Sequence, residues 1–187
     1  TPVESGLSIV TSDVEVRGSA VRGRYGYVID GRLNDAFTAM NLLLDNGVPV
    51  RRVTEDLAGG VHAGDFVVSS DVAESTVREL AERSGVEFAA LDVDTSGSSY
   101  KLERQRIGMY QRYYGGNMDE GWTRLLLEMF GFPYATLMDP DIVGGALRDN
   151  YDVLMATLDG VKQAGVDVNI DGADLSDRRM SLRLTCP

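Results

Sequence analysis

The sequence predicts an α/β protein built on a three-layer, doubly wound, mostly parallel sheet. Three observations predict it. Strand-like apolar runs alternate with helical periods from Tyr25 to Ile170, glycines stand just after the helical stretches at Gly47, Gly85 and Gly131, and 43% of the 187 residues are apolar, too many and too evenly spread for a disordered chain. Such alternation puts helices on both faces of the sheet. Two small β-α-β lobes joined near residues 92–103 are a variant of the same expectation.

Residues 1–24 carry short alternating stretches broken by Gly6, Gly18 and Gly23, and read as edge strands or an irregular lead-in. The first α/β half spans 25–91. Tyr25–Ile29 is a strand ending in Asp30-Gly31. Asn34 then caps a helix with Phe37, Met40, Leu43 and Leu44 on one face, which Gly47 ends. Val48–Val53 and Asp65–Ser69 are strands. Glu74–Ser84 is an amphipathic helix stopped by Gly85, and Val86–Leu91 is a strand. The small, polar, acidic stretch Asp92–Ser99 reads as a linker, taken to extend to residue 103.

The second half spans 104–170. Arg106–Tyr110 is a strand, Tyr113–Asn117 a turn, and a helix runs from Met118 or Asp119 to Phe130. Tyr134–Met138 is a strand, Asp139–Leu147 a short helix and Tyr151–Ala156 a strand. A weaker helix (Leu158–Ala164) and a strand (Val166–Ile170) follow, and 171–187 is an irregular tail. Gly47-Val48-Pro49 and Gly131-Phe132-Pro133 occupy like places in the two halves, as a duplicated β-α-β unit would have it, or as any α/β protein with glycines after its helices would.

Charge and single-copy residues narrow the chemistry. The net charge of −11 repels phosphate backbones and argues against nucleic acid. No apolar run approaches the roughly 18 residues of a membrane span, and the N-terminus lacks the pattern of a signal peptide. The acids are mostly Asp and the bases almost all Arg, which fits salt adaptation and a GC-rich genome equally. With one cysteine and one histidine the chain has no internal disulfide, cysteine zinc cage or well-placed triad, so neither catalytic nor metal residues are assigned. Cys186 is penultimate and His62 precedes it, the wrong order for an amidotransferase nucleophile. His62 reads as a solvated loop residue.

Ligands of open parallel sheets bind beyond the strand carboxyl ends. Two loops qualify, Asp30–Asn34 and Gln111–Glu120. With Trp122 just beyond the second, they supply the candidate binding residues Asp30, Arg32, Asn34, Arg112, Tyr113, Asn117, Asp119 and Glu120. The second loop lacks a phosphate-binding ending. Its Asp119 and Glu120 better serve the free N–H groups of a helix start, and as neighbours they do not face one another. Trp122, in a helix with Leu125, Leu126 and Met129, reads as a core anchor ahead of a ligand-stacking surface. Tyr110, Tyr113 and Tyr114 beside Arg112 form either an exposed aromatic cluster or a partly buried strand end.

The most specific text is Arg106-Ile107-Gly108-Met109-Tyr110 followed by Asn117-Met118-Asp119-Glu120-Gly121-Trp122-Thr123-Arg124, with Phe132-Pro133-Tyr134, Tyr151-Asp152-Val153-Leu154 and, upstream, the run Tyr27 to Phe37. Over about residues 25–156 it resembles the region downstream of the catalytic domain in large bacterial and archaeal zinc carboxypeptidase-like proteins. The resemblance implies a flavodoxin-like, class I glutamine amidotransferase-like fold with no established amidotransferase reaction. It also implies a non-catalytic accessory role: packing on, or presenting substrate to, an upstream peptidase domain of the same polypeptide. By the same resemblance, zinc and hydrolase activity belong to that parent domain, no cofactor belongs to this chain, and the setting is extracellular or cell-surface. Homo-oligomerisation stays open. The alternative is a small-molecule-binding module using the crevice where the strands from Tyr25 and Arg106 end, with Asn34, Arg112 and Asn117 as polar contacts.

Overall fold

The computed structural model describes residues 9, 11–12, 17–111 and 118–156. The chain divides into two compact units between Leu102 and Glu103. Each mixes helices with a sheet of its own.

The first unit runs β1 (Ser19–Ala20), β2 (Gly26–Ile29), α1 (Asp35–Asp45), β3 (Val50–Val53), a 3₁₀ turn (Ala58–Gly60), β4 (Phe66–Ser69), α2 (Glu74–Ser84), β5 (Glu87–Leu91) and β6 (Ser99–Lys101). Its sheet has the order β1-β5-β2-β4-β3-β6. β1 and β5 pair in parallel, and every other pairing is antiparallel. This corrects the expectation of a mostly parallel sheet. The cause is the β3–β4 connection, which carries a 3₁₀ turn where a helical crossover would be needed to bring β4 in parallel. β4 therefore returns between β2 and β3. The set β2-α1-β3-β4-α2-β5 has the connectivity of a ferredoxin-like, split β-α-β unit.

Register decides which residues share a face. Tyr27 lies opposite Val68 and Ile29 opposite Phe66, while Val50 lies opposite Val68 from the other side. All are buried beneath the helices, whose Ala36, Ala39, Met40 and Leu43 (α1) and Val77, Leu80 and Ala81 (α2) are buried too. The rings of Phe37 and Phe66 meet edge-on at 5.5 Å, and α1 packs on α2. The opposite face holds a second cluster, Val53, Val61, Val67 and Leu91, joined by Val28, Leu57 and Val93. Loop residues 57, 61 and 93 cover this face, where the sequence reading had placed helices.

α2 keeps its expected bounds, and Gly85 ends it at φ +69°, a left-handed conformation that costs glycine nothing. Gly26 is held for a different reason: a Cβ there would come within 2.0 Å of the Val68 carbonyl oxygen. Asn34 occupies the N-cap of α1 but adopts helical φ/ψ and makes no side-chain capping bond, contrary to expectation. The presumed linker belongs to the first unit. Arg51 donates to Ser99, Thr54 Oγ1 donates to the Ser98 carbonyl at 3.0 Å, and Ser99–Lys101 is the edge strand β6.

The second unit runs β7 (Ile107–Tyr110), α3 (Met118–Met129), β8 (Tyr134–Leu137), α4 (Asp139–Gly144), α5 (Leu147–Asn150) and β9 (Val153–Met155). Its three strands are ordered β8-β7-β9 and all run parallel, as expected for strands joined through helices. β7, paired on both edges, is buried throughout. Arg106 clamps the strand starts together: its Nη2 and Nε donate to Asp152 at 2.7 and 3.1 Å, and its Nη1 donates to the Asp149 carbonyl at 2.7 Å. These bonds hold the Asp152 carboxyl at about 2, well below the usual carboxylate range. The likeness between the halves does not extend to strand pairing, antiparallel in one and parallel in the other. The turn at 113–117 and the elements expected at 158–164, 166–170 and 171–187 lie outside the described residues.

Candidate functional site

β2 and β7 belong to different sheets, so their carboxyl ends do not form one edge. Each candidate loop belongs to its own unit.

In the first unit, β2 ends at Ile29 beside the start of β4 at Phe66. This antiparallel neighbour brings Asp65 alongside Asp30. Asp65 is buried, and its carboxylate accepts the Gly31 amide at 2.9 Å and the His62 amide at 2.8 Å, so one side chain fastens two loops. Asp30 receives a bidentate pair from Arg32, Nε and Nη2 each at 2.8 Å, together with the Arg32 amide. The guanidinium and the amide hold the Asp30 carboxyl at about 2. Asp56 accepts the Ala63 amide at 2.9 Å, which lowers its carboxyl below the ordinary range, and lies 3.6 Å from His62 Nδ1. Asn34 is exposed at the start of α1. The structure thus brings Asp30 and Arg32 together with His62, read from the sequence as a solvated loop residue, and with Asp56 and Asp65, which the sequence analysis did not single out. The signal was the Gly-rich run 59–64 followed by an aspartate. These groups spend their hydrogen bonds on one another and on loop amides, and among the described residues no three His, Cys, Asp or Glu side chains are placed to hold a metal ion.

In the second unit the carboxyl ends of β7 and β8 meet at Tyr110, whose hydroxyl donates to the Asp139 carboxylate at the start of α4. Asp141 accepts the Met138 amide at 2.8 Å and closes the same corner. Arg112, Tyr113 and Asn117 lie outside the described residues.

α3 carries the remaining three candidates and separates them. Glu120 is buried on the sheet side, paired with Arg124 at 2.8 Å. Arg124 also donates to Thr136 Oγ1 at 2.9 Å and lies 5.1 Å over the Tyr134 ring, while its Nη2 is buried without a hydrogen-bond partner. Asp119 is exposed. Trp122 is 58% exposed, which corrects its reading as a core anchor. The reason is rotational. Glu120, Thr123, Arg124 and Leu127 form the less exposed side of the helix, which leaves Met118, Trp122, Leu125, Leu126 and Met129 on the other. At 3.6 residues per turn these five fall in one stripe about 100° wide. A sequence clue existed: Glu120 and Arg124, at i and i+4, share the face opposite the apolar one.

The chain matches no protein-family model, no curated protein and no solved structure. Among the described residues no helix is long and apolar enough to cross a membrane.

Proposed function

We propose that the chain is a non-catalytic α/β accessory module that docks on a protein partner through the outward face of α3. The observation that carries this reading is the stripe Met118, Trp122, Leu125, Leu126 and Met129, exposed among the described residues. Exposed apolar patches that are contiguous, rather than scattered single residues, mark interaction surfaces, and a Trp at the centre of one is the usual anchor of binding energy. The specific form of the proposal, supported by the quoted sequence resemblance, is that the partner is a zinc-carboxypeptidase-like domain in an extracellular or cell-surface protein. Zinc and hydrolysis then belong to that domain.

The finer fold reading enters for the second unit. Its strand order and parallel pairing match the opening of a doubly wound, flavodoxin-like sheet, and right-handed crossovers would put α3 and the α4–α5 pair on opposite faces. The alternative is a small-molecule-binding module with a crevice at the strand carboxyl ends, which in this unit lie at the Tyr110–Asp139 corner.

Assaying the purified chain for release of C-terminal residues from peptides tests the non-catalytic reading. No release is expected, and chelator-sensitive release overturns it. A Leu125→Asp, Leu126→Asp double variant tests the docking face. Its urea midpoint is expected to match the parent, because neither side chain is engaged in the core. A loss of several kcal/mol would show that the stripe is already buried, and would end the docking proposal.

A further inference from the structure

We infer that the segment recognised by α3 is a basic amphipathic helix, with an apolar ridge edged on both sides by lysine or arginine. The inference rests on the docking reading above and adds the chemistry of the partner.

The argument comes from what borders the stripe. Successive helix positions are about 100° apart, so Asp119 stands on one edge of the stripe and Glu128 on the other. Both are exposed, and Glu128 also accepts the Tyr134 hydroxyl at 2.6 Å. The one cation of α3, Arg124, is turned to the sheet and engaged by Glu120, so no base borders the stripe from this helix. Gly121, where a Cβ would meet nothing within 4 Å, lies beside the ridge and leaves room for a partner backbone to approach. The result is an apolar ridge between two carboxylates, in a chain of net charge −11.

Two other occupants fit this pattern badly. A second copy would bring together two molecules carrying −11 each, with no outward base on either α3 to offset that charge. Helices that lie in a membrane surface carry lysine and arginine on their polar side, and α3 presents none outward. A partner helix with basic edges meets both carboxylates and covers the ridge, in the manner of charged positions flanking a helix–helix seam.

Trp122 is the only tryptophan, so its emission reports this face directly in the intact chain. The probes are three synthetic peptides free of aromatic residues: an amphipathic helix with leucines on one face and lysine and arginine on its edges, the same helix with glutamate edges, and the basic composition with its leucines scrambled. The basic helix is expected to shift Trp122 emission to the blue, shield it from acrylamide, and bind about tenfold tighter than the acidic one. An Asp119→Asn, Glu128→Gln variant is expected to lose most of that preference while binding both helices. Leu125→Asp with Leu126→Asp is expected to abolish binding of both.

Equal binding of basic and acidic helices overturns the inference and leaves the docking face standing. Equal binding of the scrambled peptide also overturns it, as attraction without a seam. No response of Trp122 to any peptide overturns inference and docking face together. A Trp122 shielded by self-association in sedimentation runs assigns the face to a second copy, and tighter binding to phosphatidylcholine vesicles assigns it to a membrane. Either result overturns the inference.

Discussion

Helices α1 and α3 are nearly the same length, 11 and 12 residues, and both carry an apolar stripe at helical spacing, yet they bury opposite sides. In α1 the stripe of Ala36, Ala39, Met40 and Leu43 lies on the sheet. In α3 the ion pair Glu120–Arg124 lies on the sheet and the stripe faces outward. Periodicity reveals that a helix has an apolar side. It does not reveal what covers that side, and the charged residues opposite are what distinguish the two cases.

The sharpest break of the comparison is truncation of one leucine on each helix. Leu43→Ala, at a position 0% exposed, is expected to cost about 3 kcal/mol through lost burial and a residual cavity. Leu126→Ala, at a position 52% exposed, is expected to stay within about 0.5 kcal/mol. Urea unfolding of both variants reads the difference, and equal losses would erase the contrast between the helices.

Two tyrosines sharpen the comparison at smaller scale. The Tyr110 hydroxyl bonds Asp139, whereas the buried Tyr27 hydroxyl has no partner. Tyr110→Phe is expected to lose about 1–2 kcal/mol, and Tyr27→Phe to be neutral or slightly stabilising, because it removes a polar group whose burial nothing repays. Thermal unfolding of the two variants would contradict this if Tyr27→Phe proved the more damaging.

The smallest effect concerns pH. Asp152 in the second unit titrates at about 2, held there by Arg106. Its unfolded value is about 4, so the native state binds the proton less readily. The stabilisation is present above pH 4 and is lost as pH falls toward 2. Arg106→Gln is expected to flatten the dependence of the melting temperature across that interval. An unchanged slope would remove the clamp from the account.

Much of the fold was readable because its signals are local. Glu74–Ser84 ends at a glycine that takes the left-handed conformation, and the apolar runs at Tyr27–Ile29 and Ile107–Tyr110 form the strands that both sheets bury most deeply. Strand direction was not readable from alternation alone, since it depends on whether a helix bridges each pair of strands. The span from Thr54 to Asp65 contains no helical period, and that absence was the overlooked sign of an antiparallel return. β6 hid inside polar text because an edge strand needs few apolar residues. At the candidate loops, Asp30 and Arg32 were singled out by their position after a strand. Asp65 was missed because its role depends on a neighbour 34 residues distant in sequence.

That single carboxylate has a dynamic consequence. By riveting the amides of Gly31 and His62 to one buried anchor, Asp65 makes the turn between β2 and α1 and the glycine-rich arch before β4 parts of one mechanical element. Neither can open to admit a visitor without releasing the other, so their amide hydrogens should exchange with solvent in concert.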